Sequence, residues 1–164
     1  MATVRKVLDN THIDVDASTR KKVCDILQQA LADSTDLVCQ AKTAHWNVKG
    51  PQFIALHKLF DELYEEMAAH VDTIAERIGS LGGTVMGRVQ DSAKTTRMPE
   101  YPMGLSESMD HVKSLAKSYG AFANAVRADI DKCEELEDKV TADILNAITA
   151  AVDKNIWFLE AHLR

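Results

Sequence analysis

Phe53, Leu56, Phe60, Leu63, Met67, Val71, Ile74, Ile78 and Leu81 recur at alternating steps of three and four residues, and the run stops only at Gly82-Gly83. That spacing puts every one of them on a single side of an α-helix, and the glycine pair is a natural helix stop. The pattern predicts a helix of roughly 30 residues, or about 45 Å. Helices in globular proteins average about 11–12 residues, so one this long needs partners of similar length to cover its apolar stripe. The chain is therefore expected to fold as a bundle.

Three further amphipathic patterns supply the partners. The first runs from Ser18 or Thr19 to His45 with Val23, Leu27, Ala30, Leu31, Val38 and Ala41 on its stripe, and it is broken by the Gly50-Pro51 turn. After the long helix, Thr84–Gly104 is a connector interrupted by Gly87, Pro99 and Pro102, long enough to hold a short helix near Gln90–Lys94. Ser106 is a candidate cap for the third long helix, whose stripe is Met109, Val112, Ala116, Tyr119, Ala123, Val126 and Ile130. An acidic stretch from Asp131 to Lys139 follows. Thr141 then caps the last helix, with Asp143 in its first turn and Leu145, Ile148, Val152, Ile156, Leu159 and Leu163 facing inward. A short, a long and a short link between four helices make two hairpins joined by a crossover. The expected fold is all-α, a ferritin-like four-helix bundle with a long crossover carrying a short helix between helices 2 and 3. One domain spans 1–164, with 1–16 a short N-terminal segment and 17–164 the bundle.

Composition narrows the function. With 46% apolar and 27% charged residues in 164, the chain can build a core without disulfides or metal staples. Three cysteines, Cys24, Cys39 and Cys133, are an odd number without paired spacing, which fits reduced thiols and a cytoplasmic location. The first twenty residues hold no continuous apolar run, and nothing in the chain reaches the length of a membrane span. The net charge of −6 argues against a general affinity for nucleic acid and leaves acidic groups free to attract cations.

Beside the apolar stripe of the long helix lie His57 with Asp61 and Asp72 with Glu76, two i,i+4 pairs of metal-binding groups. A solvated polar face would carry similar residues. No Glu-x-x-His motif occurs, so a metal site inside the bundle is not expected. His57 and Glu76 are nineteen residues apart, about 28 Å along a helix, so one helix cannot bring both pairs to one ion. Both 57/76 and 61/72 share the midpoint 66.5. Two copies of the helix, antiparallel about a two-fold axis near Glu66 and Met67, would set His57 against Glu76 of the second copy and Asp61 against Asp72. His45 can add an imidazole, and mixed imidazole and carboxylate ligation suits iron, zinc or manganese.

The segments His45-Trp46-Asn47-Val48-Lys49-Gly50, Phe53, Leu56-His57, Asp61, then Val71-Asp72-Thr73-Ile74-Ala75-Glu76-Arg77 and Leu81-Gly82-Gly83 resemble the two signature segments of the Dps family, the DNA-binding proteins from starved cells. Thr141-Ala142-Asp143-Ile144 and Trp157-Phe158-Leu159-Glu160 resemble its last helix, and Val85 departs from the Pro or Ala common after the glycines. The resemblance implies a hollow shell of twelve ferritin-like subunits with ferroxidase sites at two-fold interfaces. Carried over by residue, His45, His57 and Asp61 of one subunit meet Asp72 and Glu76 of its mate. Trp46 matches a tryptophan beside the site that intercepts radicals, or else packs as an aromatic anchor. The implied reaction oxidises ferrous iron, preferentially with hydrogen peroxide, and stores ferric oxide in the cavity, with iron as substrate and no organic cofactor. Asp143 and Asp138 are implied as lining acidic three-fold pores, although Asp143 also suits plain compensation of the helix dipole.

Two other classes compete with this reading. A nucleoid-binding structural protein would protect DNA by physical association, but the segment before the first helix sets Arg5 and Lys6 against Asp9, Asp14 and Asp16, and the chain ends at Ala161-His162-Leu163-Arg164 with no basic tail. DNA binding is therefore expected to be weak or absent. A catalytically silent shell serving adhesion or signalling is disfavoured by the full ligand set. His12, His70, His111 and His162 are expected to be surface or packing histidines.

Overall fold

In the computed structural model, which describes residues 8–164, the order is α1 (Ala17–Asn47), α2 (Phe53–Ser80), α3 (Val89–Thr95), α4 (Ser108–Glu135) and α5 (Lys139–Ala161). No strand occurs among the described residues. α1 pairs with α2 and α4 with α5, while α3 lies on α1 and the two hairpins meet through α1–α4 and α2–α5 contacts. This is the expected ferritin-like bundle, with the crossover helix a residue longer at each end than the breakers suggested.

The apolar periodicity of α2 drives its packing. Leu56, Phe60, Leu63, Met67, Ile74 and Ile78 are all buried in the common core, each stabilising the fold by about 1.5–3 kcal/mol relative to an exposed side chain. Val71 is only partly buried, and Phe53, at the head of the stripe, remains 42% exposed, with its ring 5.0 Å from that of His57. α1 starts where Asp16 accepts hydrogen bonds from the amides of Ser18 and Thr19, satisfying donors that the first turn leaves without partners.

Two helix boundaries differ from expectation. α4 begins at Ser108 with Glu107 as its cap residue, so Ser106 does not cap it. It also continues through the acidic stretch to Glu135, because Cys133 is fully buried and extends the apolar stripe past Ile130. A left-handed residue, Glu137 at φ 59°, turns the chain. Asp138 then caps α5, accepting from the Thr141 amide at 3.0 Å and hydroxyl at 2.7 Å; Thr141 stands inside the helix as the partner of the cap.

The crossover is tied down by polar groups. Arg97 follows α3 and donates from Nε and its backbone amide to Asp33 of α1, at 2.8 and 2.7 Å, and from a terminal nitrogen to Asp129 of α4 at 2.9 Å. Both carboxylates are at most 2% exposed. Gln29 reaches the Thr95 carbonyl, Thr96 reaches Asp36, and Gln40 reaches the Pro99 carbonyl. A single guanidinium thus joins the first hairpin, the crossover and the second hairpin.

Two outcomes follow from these contacts. Arg97→Met leaves two buried carboxylates without their main partner and is expected to cost about 3–5 kcal/mol, which thermal denaturation reads as a fall in Tm of about 10 °C or more. An unchanged Tm would refute the linking role. Asp138 carries the pH dependence: burial alone would raise its pKa, but the Thr141 hydroxyl and amide and the Arg77 guanidinium outweigh that and hold it below the ordinary carboxylate value. Its charged form therefore stabilises the fold above about pH 4, a contribution lost as pH falls through that value and below. Denaturation measured against pH is expected to show a shallower acid limb for Asp138→Asn than for the unaltered chain.

Candidate metal centre

The last turn of α1 and the second turn of α2 are brought together by the short Val48–Gln52 link, so His45 and His57 lie side by side with ring centroids 3.7 Å apart. Their hydrogen bonds are reciprocal. His45 Nδ1 donates to the His57 carbonyl at 2.8 Å, and His57 Nδ1 donates to the His45 carbonyl at 2.9 Å. A carbonyl can only accept, so each ring carries its proton on Nδ1 and leaves Nε2 as a free lone pair. Metal-ligating histidines are usually oriented by such a bond from the second nitrogen, and here the backbone of each histidine orients the other.

Asp61, one turn beyond His57, lies beside the pair, with a carboxylate oxygen 3.7 Å from His45 Nδ1. The same oxygen is bonded by Lys42 Nζ, three residues before His45 in α1. That ammonium also sits 4.4 Å from the centroid of the Tyr64 ring, within cation–π range. Lys42 is the main reason the Asp61 carboxyl is held below the usual carboxylate range. Neither Lys42 nor Tyr64 was singled out from the sequence, although a lysine three positions before His45 falls on the same helical face and Tyr64 lies three beyond Asp61.

The other two expected ligands lie elsewhere. Asp72 and Glu76 are exposed on α2, eleven and fifteen residues beyond Asp61, about 16 and 22 Å further along the helix. Neither makes a hydrogen bond or an ion pair among the described residues. Accordingly, no group of three or more metal-binding side chains forms within the one chain among the described residues. His45 and His57 thus lie with Asp61 near one end of α2, and Asp72 and Glu76, unpartnered among the described residues, lie toward the other.

The remaining expected residues divide by burial. Trp46, next to His45, is 69% exposed, so it anchors nothing in its own chain's core. Asp143 is exposed at the start of α5. Asp138 is 4% exposed and engaged by Arg77 at 3.0 Å, which ties it to the α5 cap and the end of α2. His111 is buried and bonded to the Tyr101 hydroxyl, and His162 bonds the Phe158 carbonyl; both are packing or helix-end residues. Arg5 and Lys6 lie outside the described residues. No helix of the described residues is long and apolar enough to cross a membrane, and the three cysteines form no disulfide.

Comparison with known proteins agrees with this architecture. Residues 24–164 match the ferritin-like domain family. The chain is 43% identical to the "DNA protection during starvation protein" of Agrobacterium fabrum over 94% of this chain and 95% of that protein. It is also 34% identical to the "Fine tangled pili major subunit" of Haemophilus ducreyi over 98% of this chain and 84% of that one. Among solved structures, Dps from Microbacterium arborescens in the high iron form superposes with a TM-score of 0.86 at 33% identity, covering 94% of this chain and 99% of that one. A relative named as a pilus subunit shows that fold alone does not decide chemistry; the ligand set has to. From its helix order and these relatives, the chain belongs to the Dps family of ferritin-like proteins, a family of iron storage and DNA protection.

Proposed function

We propose that this protein oxidises and stores iron, as one ferritin-like domain repeated in a shell of twelve copies built from two-fold dimers. The observation that carries the reading is the split ligand set. His45, His57 and Asp61 gather near one end of α2, with both Nδ1 atoms engaged by backbone carbonyls, while Asp72 and Glu76 stand further along the same helix without partners among the described residues. An antiparallel second copy of α2 brings the carboxylate pair of one subunit to the half-site of the other. Mixed imidazole and carboxylate ligands suit ferrous iron, and the added carboxylates favour the more highly charged ferric product.

The chemistry is the transfer of two electrons from two ferrous ions to one hydrogen peroxide. Its O–O bond breaks, two protons are taken up, and two waters and two ferric ions result. The ferric ions pass into the shell cavity as oxide, and removing ferrous iron together with peroxide suppresses hydroxyl radical formation. Lys42 holds Asp61 in place before iron arrives, so the entering cation displaces one positive charge rather than filling an unbalanced carboxylate. Exposed Trp46 stands next to His45, where an aromatic ring can intercept oxidising equivalents that escape the site. Exposed Asp143 is assigned in this reading to an iron-entry pore between subunits, whereas Asp138 is committed to its cap and to Arg77. Three free cysteines favour the reducing cytoplasm.

DNA protection by direct binding is the second reading, favoured by the name of the Agrobacterium relative. The net charge of −6 opposes it. No tight, stoichiometric retardation of plasmid is expected at about 0.1–0.15 M salt; strong retardation in a mobility-shift assay would bring that reading forward.

The decisive experiment is anaerobic loading of the size-characterised oligomer with ferrous iron, followed by peroxide, with ferric absorbance recorded over time. Asp72→Ala and Glu76→Ala each delete one ligand without touching the apolar stripe. Each is expected to slow oxidation by about ten- to a hundred-fold with the shell size unchanged. Rates equal to that of the unaltered protein in both variants would sink the site assignment.

A further inference from the structure

Gly79 lies in the last turn of α2, has ordinary helical backbone, and nothing approaches within 4 Å of where a Cβ would stand. Glycine costs helix stability relative to alanine, and the chain itself offers no steric reason for it. At the other end of the same helix, Ile54 is 59% exposed, a large apolar side chain left in water.

These two residues belong to the ligand face. At about 100° per residue, with His57 at zero, Asp61, Asp72 and Glu76 point to about 40°, 60° and 100°, and Ile54 and Gly79 to about 60° and 40°. Residues 54 and 79 also share the midpoint 66.5 with 57/76 and 61/72, as do Glu65 and Ala68, which lie on the same side. The axis that brings the metal ligands together therefore also sets each Ile54 opposite a Gly79. Glu66 and Met67, the residues nearest the axis in number, turn inward instead: Glu66 bonds Asn155 of α5 and Met67 is 1% exposed.

We propose that Ile54 of one subunit packs over Gly79 of a second copy of this chain, at both outer ends of the α2–α2 contact, and that this knob and gap fix the distance and register at which the split ligands meet. The proposal rests on the shared-site reading above and adds positioning residues to it. Helix axes in contact lie about 8–10 Å apart according to the side chains between them. A missing side chain at 79 makes room for the branched one at 54, and the exposed apolar surface of Ile54 leaves water. The pairing is reciprocal, as an isologous contact requires.

The test is a covalent one that uses no iron. In a Cys39→Ser background of the full chain, Ile54→Cys combined with Gly79→Cys is expected, on mild oxidation, to convert most of the oligomer to covalent dimers on a non-reducing gel. A disulfide forms only where Cα atoms come within about 7 Å, and each single substitution is expected to stay monomeric. No covalent dimer, or as much from either single substitution, overturns the proposal. A second arm reads positioning: Gly79→Leu is expected to slow iron oxidation on the order of tenfold or more, and adding Ile54→Ala to restore it. An unaffected Gly79→Leu, or a double variant no better than the single, also overturns it. The two readings fail separately. Cross-linking together with a fully active Asp72→Ala retains the packing and removes the iron site; absent cross-linking with a slowed Asp72→Ala does the reverse.

Discussion

Everything in this protein depends on α2 being one uninterrupted helix with two occupied faces. One face carries the stripe from Leu56 to Ile78 into the core and secures the helix to its own bundle. The other presents ligating and small residues outward. Because the helix is rigid over 28 residues, the two pairs of ligands are held apart at a fixed separation, and no rearrangement within the chain can bring them to one ion. The proposed iron chemistry therefore requires a second copy of the helix.

The rest of the fold serves that arrangement. α1 must lie antiparallel to α2 for His45 to reach His57, and the reciprocal Nδ1 bonds then orient both rings. The crossover is the weak point of such a topology, since a long link with one short helix buries little apolar surface. Here polar anchors compensate. Arg97 bridges Asp33 and Asp129, and Gln28 pairs with Met86 through both its amide groups. At the opposite end, the Arg20 guanidinium donates to the carbonyls of Leu81, Asp9 and Val15, closing the end of α2 against the incoming chain. Gly82, at φ 80°, is required there, because a Cβ would stand 2.5 Å from the Asp9 carbonyl oxygen.

Helix existence and facing were legible because apolar spacing is a local property that survives without knowledge of the partner. The boundaries at Ser106 and Thr141 were less so. Both are good capping residues, and local propensity cannot tell which of several adjacent Ser, Thr and Asp residues tertiary packing will place at the first turn. Asp138 shows this most clearly: the resemblance implies a pore-lining charge, yet Arg77, sixty-one residues earlier in the chain, draws it into the interior.

By itself the sequence determined the four-helix pattern, the family through its two signature segments, and the identities of the candidate ligands, because periodicity and motif spacing are written along the chain. It also determined that a single helix cannot close the site, since helical rise is a constant. Only the tertiary structure decided which nitrogen of each histidine is bonded to backbone, that Lys42 holds Asp61 and lies over Tyr64, and that Ile54 stays exposed while open space surrounds Gly79. Those features depend on the direction of side chains from elements distant in sequence, and packing sets direction where spacing cannot.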